Sequence, residues 1–330
     1  MKVKVSDFKV KKLIPKIPDR FKHLAPTVLQ RERCTFTLDG CSNAVANGIR
    51  RTVLCELKVL YLKSDYEEIT TDDPFIIPEM IQKRLRMIPL LQSVPQDAKF
   101  SLEVTNNTTN VMDVKTKLFG KNYFDETITI LSLQPGKSVK ITARVASEYG
   151  YVPDYGMCAV AFNATSICKD MEPYNAYEEN IIHALQSEDS DKPVSDTKIG
   201  VPRVSSHMAD PRVWEISFNT NGTLTSKEIV KRACAGIIER LKSVISLLYT
   251  MANNDKQYVL TVNGDSDTIG NLLVKTIDEL YPDVEAATYS TSPIERLFTI
   301  RIIYDEDINT LYKNVVEHLI AIYESISNQL

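Results

Sequence analysis

The sequence predicts an α+β protein in which two similar strand–turn–helix halves pair with each other as an intramolecular pseudo-dimer. Three observations predict this fold: segments in which apolar and polar residues alternate, helices with one apolar face, and an internal repeat. The chain has 330 residues, of which 43% are hydrophobic and 25% are charged. This composition is typical of a globular protein with about two domains.

Alternation of apolar and polar residues predicts eight strands, because successive side chains of a strand point to opposite faces of the sheet. The predicted strands cover residues 35–38, 57–62, 99–105, 127–133, 138–145, 212–218, 258–262 and 297–303.

Four segments have the apolar spacing of amphipathic helices. The first covers about residues 44–55. The second begins at Thr225, where Thr225 and Glu228 form a capping-box pattern, and it runs for about six turns. The third opens at Thr268 and the fourth at about Glu306. Each helix therefore has an apolar face that needs a partner surface.

An internal repeat relates residues 37–53 to residues 261–277 at a constant offset of 224 positions. Both copies have the pattern of a strand, a tight turn and a helix. The alignment has no gap over 17 positions, and five of them are identical, which makes chance similarity the weaker explanation. The identical pairs are Thr37/Thr261, Gly40/Gly264, Ser42/Ser266, Asn47/Asn271 and Thr52/Thr276.

The second copy lies in residues 256–330, a segment too short to cover its own helix faces with three strands. Two halves that each expose an apolar helical face can bury those faces against each other. We therefore expect a dimer interface within the chain. The residues predicted to form it are Ile49, Val53, Ile237, Leu241, Val244, Ile269, Leu273, Ile277, Val315, Leu319 and Ile322.

Charge is unevenly distributed along the chain. The net charge is −4, but residues 1–33 contain ten Lys or Arg against three Asp or Glu, so this segment carries +7. Pro15, Pro18 and Pro26 favour an extended path over a helix. A basic N-terminal arm over residues 1–23 is predicted, either as a solvated tail or as an arm that lies on an acidic neighbour or on nucleic acid.

The sequence contains no recognisable catalytic or metal-binding motif. The six cysteines form no C-x-x-C pair, the four histidines are isolated, and phosphate-binding glycine patterns are missing. We therefore predict no catalytic residue, no metal and no cofactor. No apolar run of about 18 residues or signal-peptide pattern occurs, which predicts an intracellular protein without a membrane contact. A thiol enzyme built on one of the cysteines near a histidine stays an alternative.

Several motifs resemble the assembly subunits of multisubunit RNA polymerases. Residues 46–51, A-N-G-I-R-R, with Glu56 after them, resemble the alpha motif of bacterial alpha, archaeal D and the third-largest subunit of eukaryotic RNA polymerase II. Residues 73–76 and 84–90 resemble downstream segments of the same family. Residues 267–273 and 292–298 are similar to archaeal L and the eleventh eukaryotic subunit. One fused chain resembles the arrangement in nucleocytoplasmic large DNA viruses.

The resemblance implies a division into domains. Residues 24–56 and 206–252 correspond to a D-like dimerisation domain, residues 57–205 to a mainly β insert domain, and residues 256–330 to an L-like dimerisation domain. Some relatives carry a cysteine cluster in the insert for iron–sulfur or zinc. Residues 57–157 contain no cysteine, so no such metal is expected.

The resemblance also implies a role as a non-catalytic assembly platform of a DNA-directed RNA polymerase. Asn47, Arg50, Arg51 and Glu56 match the surface that contacts the two largest subunits. The paired arginines suit such a contact because a guanidinium binds carboxylates and carbonyls in a fixed geometry. The alternative is that one arginine forms a salt bridge with Glu56 or a neighbouring acid of its own chain.

The expected partners are the two largest polymerase subunits and at least one small subunit. No homodimer is expected, and contact with DNA or RNA is expected to be indirect. The location would be the host cytoplasm and virion for a viral protein, and the nucleus otherwise. A scaffold or virion-associated protein that uses the same pseudo-dimer outside a polymerase is the second hypothesis.

Overall fold

The computed structural model describes residues 3–14, 18–20, 29–149, 159–170, 172, 211–247, 252–254, 257–263, 267–292 and 297–330. These residues form an α+β fold of helices and antiparallel sheets, as the sequence predicts. The predicted domain boundaries at residues 23–24 and 205–206 lie outside the described residues.

The chain begins with a two-stranded unit and a helix. Its elements are β1 (Lys4–Lys12), β2 (Glu32–Asp39), α1 (Asn43–Arg51) and a π-helical segment (Thr52–Glu56) that continues α1. β1 pairs antiparallel with β2, with Val5 opposite Leu38, and Val3 is buried in the core. Residues 4–12 of the predicted basic arm therefore form a sheet strand rather than a solvated tail.

The next segment has its own sheet and its own apolar core. Its elements are β3 (Lys58–Lys63), a 3-10 turn (Tyr66–Glu68), β4 (Ile69–Thr71), α2 (Pro78–Arg86), β5 (Lys99–Thr105), β6 (Met112–Lys115), a second 3-10 turn (Thr116–Phe119), β7 (Thr129–Leu133) and β8 (Ser138–Tyr149). β8 pairs with β3, β4 and β5, and β6 pairs with β7. The core of this segment lies between Leu62 and Val145 and is built around Phe100, Phe119 and Phe124.

The chain then returns to the first sheet. The elements are β9 (Ala161–Cys168), β10 (Val213–Thr220) and α3 (Ser226–Leu247). β10 pairs with β2 and with β9, so the strand order is β1-β2-β10-β9. β9 falls inside residues 57–205, which the sequence assigns to the insert, yet it belongs to the first sheet. The chain has therefore rejoined this sheet well before residue 205.

The C-terminal part forms another sheet with two helices. Its elements are β11 (Ala252–Asn254), β12 (Gln257–Asn263), α4 (Asp267–Leu280), β13 (Ala286–Ser292), β14 (Leu297–Ile303) and α5 (Ile308–Asn328). The strand order is β11-β12-β14-β13. The Asp307 side chain caps α5 by accepting a hydrogen bond from the Asn309 backbone N–H at 3.1 Å.

The two sheets have the same strand order, and the copies of the repeat occupy the same place in it. β2 and β12 each lie second in their sheet, followed by a helix. The register agrees as well: Leu38 faces Trp214 in one sheet, and the repeat-equivalent Val262 faces Phe298 in the other. Two similar sequences have thus produced two sheets of matching topology and register.

The helices of the two parts pack on each other. α1 contacts α4, and α3 contacts α5. One continuous apolar core contains residues of both parts, and every residue predicted for the dimer interface lies in it. The most exposed of them, Ile322, is only 7% exposed. Removing these side chains from water is the dominant stabilisation that this contact provides.

Candidate subunit interface

The segment after α1 turns a carboxylate into the protein interior. Thr52–Glu56 adopts a π-helical turn, a rare conformation that is frequent at functional sites. The Thr52 hydroxyl donates to Glu56 Oε2 at 3.2 Å, and the Glu56 side chain is 1% exposed. A buried carboxylate is destabilising unless it is paired and hydrogen-bonded, so its partners decide whether this turn is tolerated.

Glu56 has partners from three helical segments. Arg240 of α3 donates from Nη1 to Oε2 at 2.6 Å, and Thr268 of α4 donates its hydroxyl to Oε1 at 2.6 Å. Arg240 is itself buried. The carboxylate therefore connects the first part of the chain, through Arg240, with the C-terminal part, through Thr268.

Arg51 belongs to the same network. Its Nε donates to the Thr268 hydroxyl at 2.9 Å, and its Nη2 lies 3.8 Å from Glu56 Oε1 and 3.7 Å from Asp267 Oδ2. The Thr268 hydroxyl thus accepts from Arg51 and donates to Glu56. The interpretation in which an arginine binds acids of its own chain therefore applies to Arg51.

Arg50 is differently placed. Its Nε donates to Asn47 Oδ1 at 2.8 Å, one helical turn earlier, and the side chain is half-buried. Within the described residues it forms no ion pair. Burial, and then the charge of Arg51, lower the pKa of the Arg50 guanidinium. Asn47 therefore orients a cation whose remaining N–H groups are available to an acidic partner.

An open cleft of about 450 Å³ lies beside this network, between α1, α4 and β13. Its lining is mostly polar, and Asn47 and Asn271, which the repeat aligns, both belong to it. The lining residues are Ala44, Asn47, Gly48, Arg51, Asp267, Thr268, Asn271, Tyr289, Ser290 and Thr291. Such a surface suits hydrogen bonding with a polar protein segment.

Gly48 allows the helices to approach closely at the bottom of this cleft. A Cβ at this position would lie 2.8 Å from Tyr323 Oη on α5 and 3.4 Å from Leu272 Cδ1 on α4. The Tyr323 ring is fully buried, and its hydroxyl donates to the Val45 carbonyl at 3.3 Å. The geometry of the cleft therefore depends on a residue without a side chain.

The structure brings some predicted residues together and separates others. Asn47, Arg50 and Arg51 lie in α1 and Glu56 in the π-helical segment after it. Glu56 is enclosed by its own chain, whereas Arg50 is only half-buried. Arg240 and Thr268 were not singled out by the sequence as polar partners. A signal was present for Arg240, since it lies three residues after Ile237 and four before Val244, which places a charge on an otherwise apolar helix face.

The described cysteines are poor candidates for catalysis. Burial raises the pKa of the Cys34, Cys41 and Cys234 thiols to about 12, and it also raises the pKa of Cys55 and Cys168. A thiol nucleophile needs a lowered pKa, so the raised pKa disfavours a reactive thiolate at these five positions. Cys158 lies outside the described residues.

Metal-binding clusters and membrane-spanning helices are both absent from the part of the chain that the structure describes. No group of three or more His, Cys, Asp or Glu residues there is arranged to hold a metal ion. No helix there is long and apolar enough to cross a membrane.

Comparison with known proteins gives distant relatives over most of the chain. No family model matches it. It is 22% identical, over 327 residues, to the DNA-directed RNA polymerase RPB3-11 homolog of African swine fever virus isolate Tick/Malawi/Lil 20-1/1983, covering 88% of this chain and 85% of that protein. For isolate Tick/South Africa/Pretoriuskop Pr4/1996 the identity is 23% over 325 residues, with the same coverage.

A shorter similarity joins the chain to a conjugation stage-specific protein of Tetrahymena thermophila. The two are 26% identical over 151 residues, which is 41% of this chain and 46% of that protein. The similarity over most of the chain therefore supports a relationship with viral polymerase subunits of the RPB3/RPB11 type.

Proposed function

We propose that this chain is a non-catalytic assembly subunit of a DNA-directed RNA polymerase. In this proposal a D-like half and an L-like half are fused in one chain and pair as an intramolecular pseudo-dimer. The pair forms the platform on which the two largest, catalytic subunits and at least one small subunit assemble. The names of the viral relatives support the assignment to a polymerase.

One observation is the main support for the proposed pseudo-dimer. The two sheets share strand order and register, and their helices pack pairwise, α1 on α4 and α3 on α5. This is the arrangement expected when two copies of one unit bury matching apolar faces against each other. The continuous core supports the same interpretation, because it contains buried residues of all four helices.

The proposed domains follow from this arrangement. β1, β2, α1, β9, β10 and α3 form the D-like half, and the residues from β11 to the C-terminus form the L-like half. The segment from β3 to β8, with its separate core, is the insert. This refines the division predicted from the sequence by returning β9 to the D-like half.

The proposed docking surface is the exposed side of α1 and the neighbouring cleft. Arg50 supplies a cation held in place by Asn47, and Arg51 is half-exposed at the cleft edge. In this proposal Glu56 positions Arg51 and does not itself contact the large subunits. Its bond to Thr268 ties the position of Arg51 to the docking of the two halves.

The test is capture of the large subunits by a charge-reversed variant. Arg50→Glu is the sharper choice, because a carboxylate at position 51 would face Glu56 and Asp267 and disturb the fold. Co-expressed with the two largest polymerase subunits, the variant should stay folded but bind them at least about tenfold more weakly. Lys231→Glu, an exposed change of the same charge on α3, is the matched control.

The outcomes separate the hypotheses. Normal capture by Arg50→Glu contradicts the assigned surface. If the wild-type chain purifies from its source with other proteins and without the large subunits, the scaffold or virion-associated hypothesis replaces this one. Mass spectrometry of the co-purified chains distinguishes the two results.

A further inference from the structure

The two sheets of the proposed pseudo-dimer end in four edge strands: β1, β9, β11 and β13. An edge strand presents unpaired backbone N–H and C=O groups, which can recruit a strand from another chain. Natural proteins protect such edges with lysines, bulges, proline or short strands. The presence or absence of these features therefore indicates whether an edge strand is protected against pairing with another chain.

Three of the four edges carry such protection. β1 has exposed lysines and a register shift at Asp7, where φ is 54°. β9 has a register shift near Asn163, where φ is 53°. β11 is only three residues long. These features make each of them a poor template for another strand.

β13 has none of these features. It is seven residues long, A-A-T-Y-S-T-S, with no charged residue and no proline. It pairs with β14 in an unbroken register from Ala286 opposite Ile303 to Ser292 opposite Leu297. Thr288, Tyr289, Ser290 and Thr291 are exposed. β13 is therefore the unprotected one among these four edge strands.

β13 is also held firmly in place. A Cβ on Gly270 of α4 would lie only 3.0 Å from Tyr289 Cδ2, so the tyrosine ring packs directly on the helix backbone. This close packing fixes the strand in the conformation that strand pairing requires. Binding of a partner strand would therefore not include the entropic cost of ordering β13.

The edge is continuous with the candidate interface. Tyr289, Ser290 and Thr291 form one wall of the cleft that Asn47 and Arg51 line from the other side. A strand added to β13 would direct alternate side chains toward this polar cleft. Backbone pairing and side-chain recognition would therefore be available at one place.

We infer that β13 is a docking edge that accepts an extended strand from a partner subunit of the polymerase, by antiparallel or parallel strand addition. The fitting segment is uncharged or weakly charged, with small or β-branched residues on the outer face and a hydrogen-bonding side chain entering the cleft. This inference rests on the proposed function, and it adds a backbone contact to the proposed charge contact at Arg50.

A second copy of this chain is the less suitable occupant. A stable homodimer needs a large and largely apolar interface. The exposed part of β13 offers mainly Thr and Ser side chains, with one tyrosine that is 37% exposed. A partner that also binds the surface of α1 does not need a large interface at β13, because the contact with β13 only extends the contact with α1.

The first measurement uses the wild-type chain. Amide hydrogen exchange of β13 is compared between the free chain and its complex with the co-expressed large subunits. Strand addition predicts exchange of amides within Thr288–Thr291 that is about tenfold slower in the complex. Unchanged exchange in a complex that has formed overturns the inference while the proposed function stands.

The second measurement uses an edge-blocking variant. Thr288→Lys together with Ser290→Lys gives β13 the protection that β1 already has, and should weaken capture of the large subunits about tenfold. Gln257→Lys together with Thr261→Lys, both at exposed positions of β12, is the matched control, because it adds two lysines to the same sheet away from this edge. Equal capture by both variants overturns the inference.

Two other outcomes are distinguishable. If the free chain dimerises in light scattering and the edge variant abolishes the dimer, a second copy is the occupant and the inference is wrong. If the wild-type chain captures no large subunit at all, the proposed function fails first, and the inference fails with it.

Discussion

The two copies of the repeat have similar backbones but different side chains at the ends of their first helices. Arg50 and Arg51 in the first copy align with Val274 and Lys275 in the second, and Glu56, three positions beyond the repeat, corresponds to Leu280 at the same offset. Val274 is buried, Lys275 is paired with Asp278 at 3.3 Å one turn away, and Leu280 is exposed. The buried polar network therefore centres on the first copy, and the second contributes Thr268 to it.

Positions that pack the core are alike in both copies. Ile49 aligns with Leu273, and Val53 with Ile277, and all four are buried. Packing requires an apolar side chain of about the right size, and many residues satisfy that requirement. A charged network requires particular groups in a particular geometry. The copies can therefore differ in charge while both keep an apolar core. The proposed charge contact lies in one half, and the proposed docking edge lies in the other.

The largest expected effect comes from breaking the core that the copies share. Leu319→Asp places an unpaired carboxylate in the contact between α3 and α5, where the side chain is now fully buried. The variant should lose about 4 kcal/mol or more of unfolding free energy, enough to prevent folding. Ala321→Asp, exposed on the same helix, is the control, and urea denaturation measures both. Equal stability of the two variants would mean that this helix contact is absent.

Neutralising the buried carboxylate tests the asymmetry directly. Glu56→Gln removes the buried negative charge that Arg240 and Thr268 bind, and it should cost about 3 kcal/mol of unfolding free energy. Leu280→Gln changes the aligned residue of the second copy, which is exposed, and should cost less than about 0.5 kcal/mol. Both values come from urea denaturation. Similar costs at the two positions would contradict a network confined to the end of the first copy's helix.

A smaller effect is expected from the glycine where the copies touch. Gly48→Ala puts a methyl group 2.8 Å from the buried Tyr323 hydroxyl and should destabilise the chain by about 1 kcal/mol. Gly236→Ala, on α3, meets no atom within 4 Å and should stabilise the chain by about 0.5 kcal/mol through helix propensity. Thermal unfolding of both variants gives the difference. A stabilising Gly48→Ala would show that the helices are further apart than described here.

Strands with apolar alternation were predictable, and edge strands were not. Residues 99–105 and 297–303 were predicted with the observed bounds, because each strand buries one apolar face. β13 was missed, since its Thr, Tyr and Ser residues show no apolar alternation. β9 was missed as well, and its residues were assigned to the insert. Edge strands bury less surface, so the pattern that identifies a strand is weakest there.

The candidate site was predicted in part. Asn47, Arg50, Arg51 and Glu56 were predicted as the interface residues; the first three lie in α1, and Glu56 lies in the π-helical segment that continues it. The sequence did not show which of the two arginines binds an acidic residue of its own chain, because helix spacing does not reveal contacts with distant segments. The contact of Arg51 with Thr268, 217 positions away, decides it.

The sequence by itself determined the repeat, the apolar helix faces and the residues of the shared core. These follow from local periodicity, because burial of a helix face depends on the spacing of apolar residues along one segment. Only the tertiary structure decided that Glu56 points inward, to Arg240 and Thr268 at separations of 184 and 212 residues. It also decided that β13 ends its sheet as an unprotected edge. Both depend on which segments become neighbours in space, and that is a property of packing rather than of any local pattern.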